Sequence, residues 1–132
     1  MFLRELNEEA KDLFLDLSIY AAMANDICVD EEKVTIDDYC FELGINEVRY
    51  EASKPLEDVL KQIKGCCNTS EINIVMVEIL ALLMSDEVVD EKERDFVKKL
   101  QNVFEISEEK VEKMMTVVKA AKETIASLYA LI

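Results

Sequence analysis

Histidine is missing from this chain, and with it go the commonest general base, the Cys–His nucleophile pair and any zinc site built on imidazole. Glycine occurs twice and proline once in 132 residues, too few turn-formers for a β-sandwich or barrel. Positive charge is also scarce: 15 Lys and Arg face 29 Asp and Glu, a formal net charge of −14. That field repels nucleic-acid phosphate and anionic lipid and favours cations or a basic protein partner, besides keeping a small protein soluble. There is no Gly-rich phosphate loop and no basic patch. The longest apolar run, Ile74 to Met84, contains Glu78 and falls short of the roughly 20 residues a membrane span needs, so no direct membrane insertion is expected. The start, MFLRELNEEAKD, turns acidic within a few residues and does not read as a signal peptide. Four cysteines, Cys28, Cys40, Cys66 and Cys67, fall within helical patterns and read as reduced thiols. Cys66 and Cys67 are adjacent rather than two-spaced, which speaks for buried or loop thiols over a redox or zinc motif.

What the chain does have is apolar periodicity. Hydrophobic residues make up 51%, enough for a chain of this size to bury roughly two-thirds of its unfolded surface in one domain spanning residues 1–132. Leu6, Ala10, Leu13, Phe14, Leu17, Tyr20, Ala21 and Ala24 paint one stripe of a helix over about 5–25. A second helix is expected from Asp30 to a left-handed stop at Gly44, with Val34, Cys40, Phe41 and Leu43 inward. Pro55 opens a short helix holding Leu56, Val59, Leu60 and Ile63, broken by Gly65-Cys66-Cys67-Asn68. Thr69 or Ser70 caps a fourth helix over 70–85, apolar almost all round and therefore central. Glu78 interrupts it and is expected to face its one wet edge, a partly buried acid being the alternative. A fifth helix runs from Asp90 to Phe104 with Phe96, Val97, Leu100 and Val103 inward. Ser107 caps a sixth that carries Val111, Met114, Met115, Val118, Ala121, Ile125, Leu128 and Ile132 to the end. No strand is expected.

The chain also says nearly the same thing twice. Ala22-Met23-Ala24-Asn25-Asp26-Ile27-Cys28-Val29-Asp30-Glu31-Glu32 returns 60 residues later as Leu82-Leu83-Met84-Ser85-Asp86-Glu87-Val88-Val89-Asp90-Glu91-Lys92. Leu43-Gly44-Ile45-Asn46-Glu47 is answered by Phe104-Glu105-Ile106-Ser107-Glu108. Two helix–acidic turn–helix units, about 5–45 and 70–106, are the natural reading. The fold expected is all-α: one compact bundle of five to seven helices, two such units packed around the apolar helix near 70–85.

The acids of each turn divide into two kinds. Asp30 and Asp90 stand where helices begin and suit N-caps, worth roughly 1 kcal/mol each. Asp90 has Glu93 at capping-box spacing; Asp30 has Lys33 there, and Val29 with Val34 at staple spacing. Asp26 and Asp86 sit instead at helix C-termini, where the dipole disfavours an anion. Either they start turns by bonding their own backbone, or each pairs with the Asp four residues on to hold a hard cation such as Ca²⁺ or Mg²⁺. An EF-hand is excluded, because its third and sixth positions would be Cys28 and Glu31, or Val88 and Glu91.

The pattern resembles the TerB-like family, the all-helical domain of tellurite-resistance proteins that also occurs at the N-terminus of a membrane-anchored DnaJ-type co-chaperone. That family carries Asp-Gly-x-apolar-Asp-x-x-Glu turns in two copies. Asp86, Val89, Asp90 and Glu93 match in the second copy, and Asp26, Val29 and Asp30 in the first. Ile27 and Glu87 replace the glycine, and Lys33 replaces the final Glu of the first copy beside Glu32. The resemblance covers most of the chain. It implies a non-enzymatic, cytoplasmic stress-response accessory domain, with metal ligands at Asp26, Asp30, Asp86, Asp90 and Glu93, the second turn being the better match. The alternative is an acidic helical protein-interaction module without metal. Neither reading fixes the oligomeric state.

Overall fold

The computed structural model describes residues 1–25, 29–84 and 90–132, with Val29 described by its backbone alone. Asp26, Asp86 and the rest of the two turn centres lie outside the described residues. Six α-helices follow a 3-10 turn at Leu3–Glu5: α1 Glu8–Ala24, α2 Val29–Leu43, α3 Leu56–Cys66, α4 Thr69–Leu83, α5 Glu91–Phe104 and α6 Glu108–Leu131. Among the described residues there is no strand, and no helix is long and apolar enough to cross a membrane.

The apolar helix α4 is central as its composition requires, and α1 joins it there. α1 packs against α2, α3, α4 and α5, while α4 touches α1, α5, α6 and the 3-10 turn. The expected stripe on α1 is buried except for the half-buried Tyr20, and so are Leu15, Ile19 and Ala22 on its other sides, because partners surround it. Phe14 meets Tyr39 of α2 edge-on, with ring centroids 5.4 Å apart at 87°. Burial pushes the Tyr39 hydroxyl well above its ordinary value, and the charges of Glu78 and Glu42 add to that.

Several boundaries differ from expectation for identifiable reasons. α1 begins at Glu8 rather than near residue 5, because Leu6 is extended and Asn7 caps the helix by accepting from Ala10 N–H at 2.9 Å. α2 begins at Val29, so Asp30 is a first-turn residue instead of the cap. Pro55 precedes α3 as its N-cap residue, and α3 runs through Gly65 to Cys66. Neither Thr69 nor Ser70 caps α4: Asn68 does, in a reciprocal capping box with Glu71. Ser107 caps α6 as expected.

The two ends that echo in sequence also match in backbone. Gly44 (φ 74°) and Glu105 (φ 56°) are both left-handed. Ile45 N–H donates to Cys40 O at 2.9 Å, and Ile106 N–H to Gln101 O at 3.1 Å, the same six-residue closure of a helix end.

Part of the expected α2 face and the far end of the α6 stripe are exposed. On α2 the core side is Ile36, Cys40 and Leu43, and Val34 and Phe41 point outward, Phe41 with 83% of its surface accessible. Cys40 and Leu43 cannot share a helix face with Val34 and Phe41, and tertiary packing chose the former pair. On α6, Val111 and Val118 are buried and Met114 and Met115 pack against the core. Ala121, Ile125, Leu128 and Ile132 are exposed, for the stripe continues past the part of the helix that has a partner.

Candidate functional site

The described flanks of the two acidic turns lie side by side. Lys92 Nζ of α5 donates to Met23 O in the last turn of α1 at 3.5 Å, which places the end of α1 next to the start of α5. At that junction Asp90 and Glu93 form the expected capping box. Glu93 N–H donates to Asp90 Oδ1 at 2.8 Å, and Asp90 N–H donates to Glu93 Oε1 at 3.3 Å. Glu93 is 3% exposed and thereby fixed, whereas Asp90 is exposed and its Oδ2 takes no part in the cap. A carboxylate accepts through both oxygens, so capping and ligation are compatible at Asp90.

The first turn offers less. Asp30 is exposed on the first turn of α2. Lys33 is engaged elsewhere, its ammonium 5.5 Å from the centre of the Tyr50 ring, whose hydroxyl donates to Asp37 at 2.6 Å. Of the five candidate ligands, then, Asp90 and Glu93 are brought together and Asp30 stands on a separate helix. Asp26 and Asp86 lie outside the described residues. Among the described residues no cluster of three or more metal-ligating side chains converges.

Three polar centres hold the fold elsewhere; the sequence reading missed two of them and named burial of the third, Glu78, only as an alternative. Asp16, fully buried in α1, accepts from Arg49 Nη2 at 2.7 Å, Ser53 N–H at 3.0 Å and Ser53 Oγ at 2.9 Å. It pins the connection between α2 and α3 to α1. The available signal was a single acid inside the apolar run Leu13–Ile19. Asn7 and Glu71 form a second centre: Glu71 Oε2 accepts from Asn7 N–H and Nδ2 at 2.8 Å each, and Asn7 Nδ2 also donates to Cys66 O at 2.9 Å. Backbone donation from Asn68 and Asn7 holds the Glu71 carboxyl below its usual value. A groove of about 390 Å³ runs beside this centre between Glu5, Asn68, Ser70 and Ile74, and its two acids, Glu5 and Glu71, suit no anion.

The third centre is Glu78, buried instead of facing a wet edge. Its Oε1 accepts from Phe2 N–H at 2.8 Å and from the N-terminal ammonium at 3.0 Å, which also pairs with Glu42 of α2. Burial lowers the pKa of that ammonium, but bonds to Glu42 and Glu78 outweigh it, and the net shift is upward. An acid in the middle of an apolar helix is thus satisfied by the chain start folded over it.

Cys40 is buried, and Cys66 and Cys67 are half-buried with sulfurs 3.7 Å apart; all three are free thiols. Burial pushes each thiol up, Cys67 to about 12 with help from hydrogen bonding to Cys66. Such thiols are poor nucleophiles at neutral pH. No family model, no curated protein and no solved structure matches this chain.

Proposed function

We propose that this protein is a non-enzymatic TerB-like accessory module whose acidic end holds a divalent cation, Ca²⁺ or Mg²⁺, centred on Asp86, Asp90 and Glu93, with Asp26 and Asp30 of the neighbouring turn beside them. The observation that carries the reading is the contact between Met23 and Lys92, which joins the flanks of both acidic turns at one end of the molecule. Asp90, anchored by its cap and exposed beyond it, supplies a hard oxygen there. The lack of histidine and the raised thiols support a binding role over catalysis.

Thermal unfolding with and without Ca²⁺, Mg²⁺ or Mn²⁺ tests it. A site of this kind stabilises the fold by about 2.7 kcal/mol at one hundred times the dissociation constant. Asp90→Ser keeps a capping side chain and removes the carboxylate, so it is expected to abolish the cation response at little cost in its absence. No response of the wild type to any of the three ions would overturn the proposal.

A second reading, an acidic protein-interaction module without metal, is favoured by a separate observation: the outer face of α2 exposes Val34 and Phe41 among acids.

A further inference from the structure

Cys66 is the last residue of α3 and Cys67 its C-cap. The peptide that joins them is fixed by both of its polar groups. Cys67 N–H donates to Ile63 O at 3.0 Å, and Cys66 O accepts from the Asn7 amide at 2.9 Å. Both side chains are half-buried against the core as free thiols, with sulfurs 3.7 Å apart.

Adjacency makes this pair a poor disulfide. Cα atoms joined by a trans peptide lie about 3.8 Å apart, below the roughly 4.4 Å minimum of an ordinary bridge. Closing an S–S bond would twist the anchored peptide and strip it of its bonds to Ile63 and Asn7. A single atom bridging the sulfurs meets no such obstacle. A centre bonded to two sulfurs at about 2.3 Å with a tetrahedral angle holds them about 3.8 Å apart, against the 3.7 Å observed. Among the described residues no group of three or more metal-ligating side chains converges. The pair therefore suits a soft centre that needs only two protein sulfurs, unlike a closed four-ligand zinc site. The charges of Glu9 and Glu71, like burial, oppose ionised thiols here, which favours a product without charge.

We propose that Cys66 and Cys67 are a dithiol site for a soft trivalent metalloid, of the class of monosubstituted arsenic(III) compounds, whose arsenic closes a ring across both sulfurs. An arsenoxide, R–As=O, is taken up by condensation. Two S–H bonds and the arsenic–oxygen bond break, two As–S bonds form, and both protons leave with the oxygen as water. No electrons are transferred, so no oxidant is required, and the half-buried site stays neutral. The site lies beside the entrance of α1, whereas the acidic turns flank its exit, so it is independent of any cation held there.

Phenylarsine oxide is the probe, added to full-length protein that has been reduced and freed of reductant. Intact-mass measurement is expected to show one phenylarsenic group per chain, gained with loss of one water. The adduct is expected to survive excess 2-mercaptoethanol and to be removed by 2,3-dimercaptopropanol, as bonding through two sulfurs requires. Cys66→Ser and Cys67→Ser are each expected to weaken binding by about a hundredfold or more, the gain that a second, intramolecular bond supplies. Cys28→Ser combined with Cys40→Ala, checked for folding by circular dichroism, is expected to bind as wild type does. The thiol-competition arm uses wild type alone and decides the proposal even if a variant misfolds. Absence of an adduct, an adduct stripped by the monothiol, full binding by both single variants, or a Cys66–Cys67 disulfide forming in air would each overturn it.

Discussion

Replacing Asp16 tests the tie that is least visible in sequence. Its carboxylate is fully buried and accepts three hydrogen bonds, two of them from the Ser53 backbone and hydroxyl and one from the Arg49 guanidinium. Truncation to Ala leaves Arg49 facing a cavity, and breaking a buried pair in this way costs about 3–5 kcal/mol when the orphaned charge is fully enclosed. Arg49 is not enclosed: its side chain is 27% exposed and Asp12 Oδ1 stands 3.5 Å away as a substitute partner. Ser53 is itself exposed and can turn to water. The expected cost of Asp16→Ala is therefore at the lower end, about 2–3 kcal/mol. Asp16→Asn keeps the shape and one acceptor oxygen, and is expected to cost about 1–2 kcal/mol. Urea unfolding read by circular dichroism measures both, with the midpoint falling and the slope unchanged. In a chain of this length the Ala variant is expected to melt roughly 10 °C lower. A double-mutant cycle with Arg49→Ala is expected to return a coupling of about 1–3 kcal/mol. Two single variants within about 0.5 kcal/mol of wild type would refute the reasoning, since surface changes alone reach that size.

Other consequences are equally measurable. Glu105 holds a left-handed conformation that glycine adopts freely, so Glu105→Gly is expected to stabilise by about 0.5–1 kcal/mol even after losing the exposed contact with Lys64; a drop in the urea midpoint would contradict the strain assigned there. The Glu71 carboxyl is held below its ordinary value, so its contribution is complete above the unfolded pKa and fades as pH falls through the folded one. Wild type is accordingly expected to lose stability more steeply than Glu71→Gln on acidification below about pH 4.5, and parallel curves would count against the centre at Asn7. Cys67, with its thiol pushed up to about 12, is expected to react with iodoacetamide at pH 7.5 far more slowly than a free cysteine; peptide mapping that finds it alkylated at the ordinary rate would remove the case for burial.

Much of the fold was legible because helix signals are local. The stripe of α1, the capping box at Asp90 and Glu93, the Ser107 cap and the left-handed stop at Gly44 each depend on residues within a turn or two of one another. Tertiary choices were not legible. α2 carries two incompatible apolar faces, and only the packing against α1 selects Ile36, Cys40 and Leu43 over Val34 and Phe41. Glu78 read as a wet edge because the atoms that satisfy it belong to Phe2 and Met1, at the other end of the sequence from α4's own neighbours. Asn68 won the cap of α4 over Thr69 and Ser70 because Glu71 stands three residues after it and completes the reciprocal bond. For the acidic turns, spacing indicated which carboxylates share a turn, and it was a long-range bond, Lys92 to Met23, that put the two turns' flanks together.

The shared hydrogen bonds of Asn7 and Glu71 bind three chain segments into one exchange unit. The Asn7 side-chain amide and the Glu71 carboxylate serve the entrance of α1, the exit of α3 and the entrance of α4. None of those ends can fray alone without stranding a polar atom that the others rely on. Their terminal amides are therefore expected to acquire deuterium in concert, with a common opening free energy.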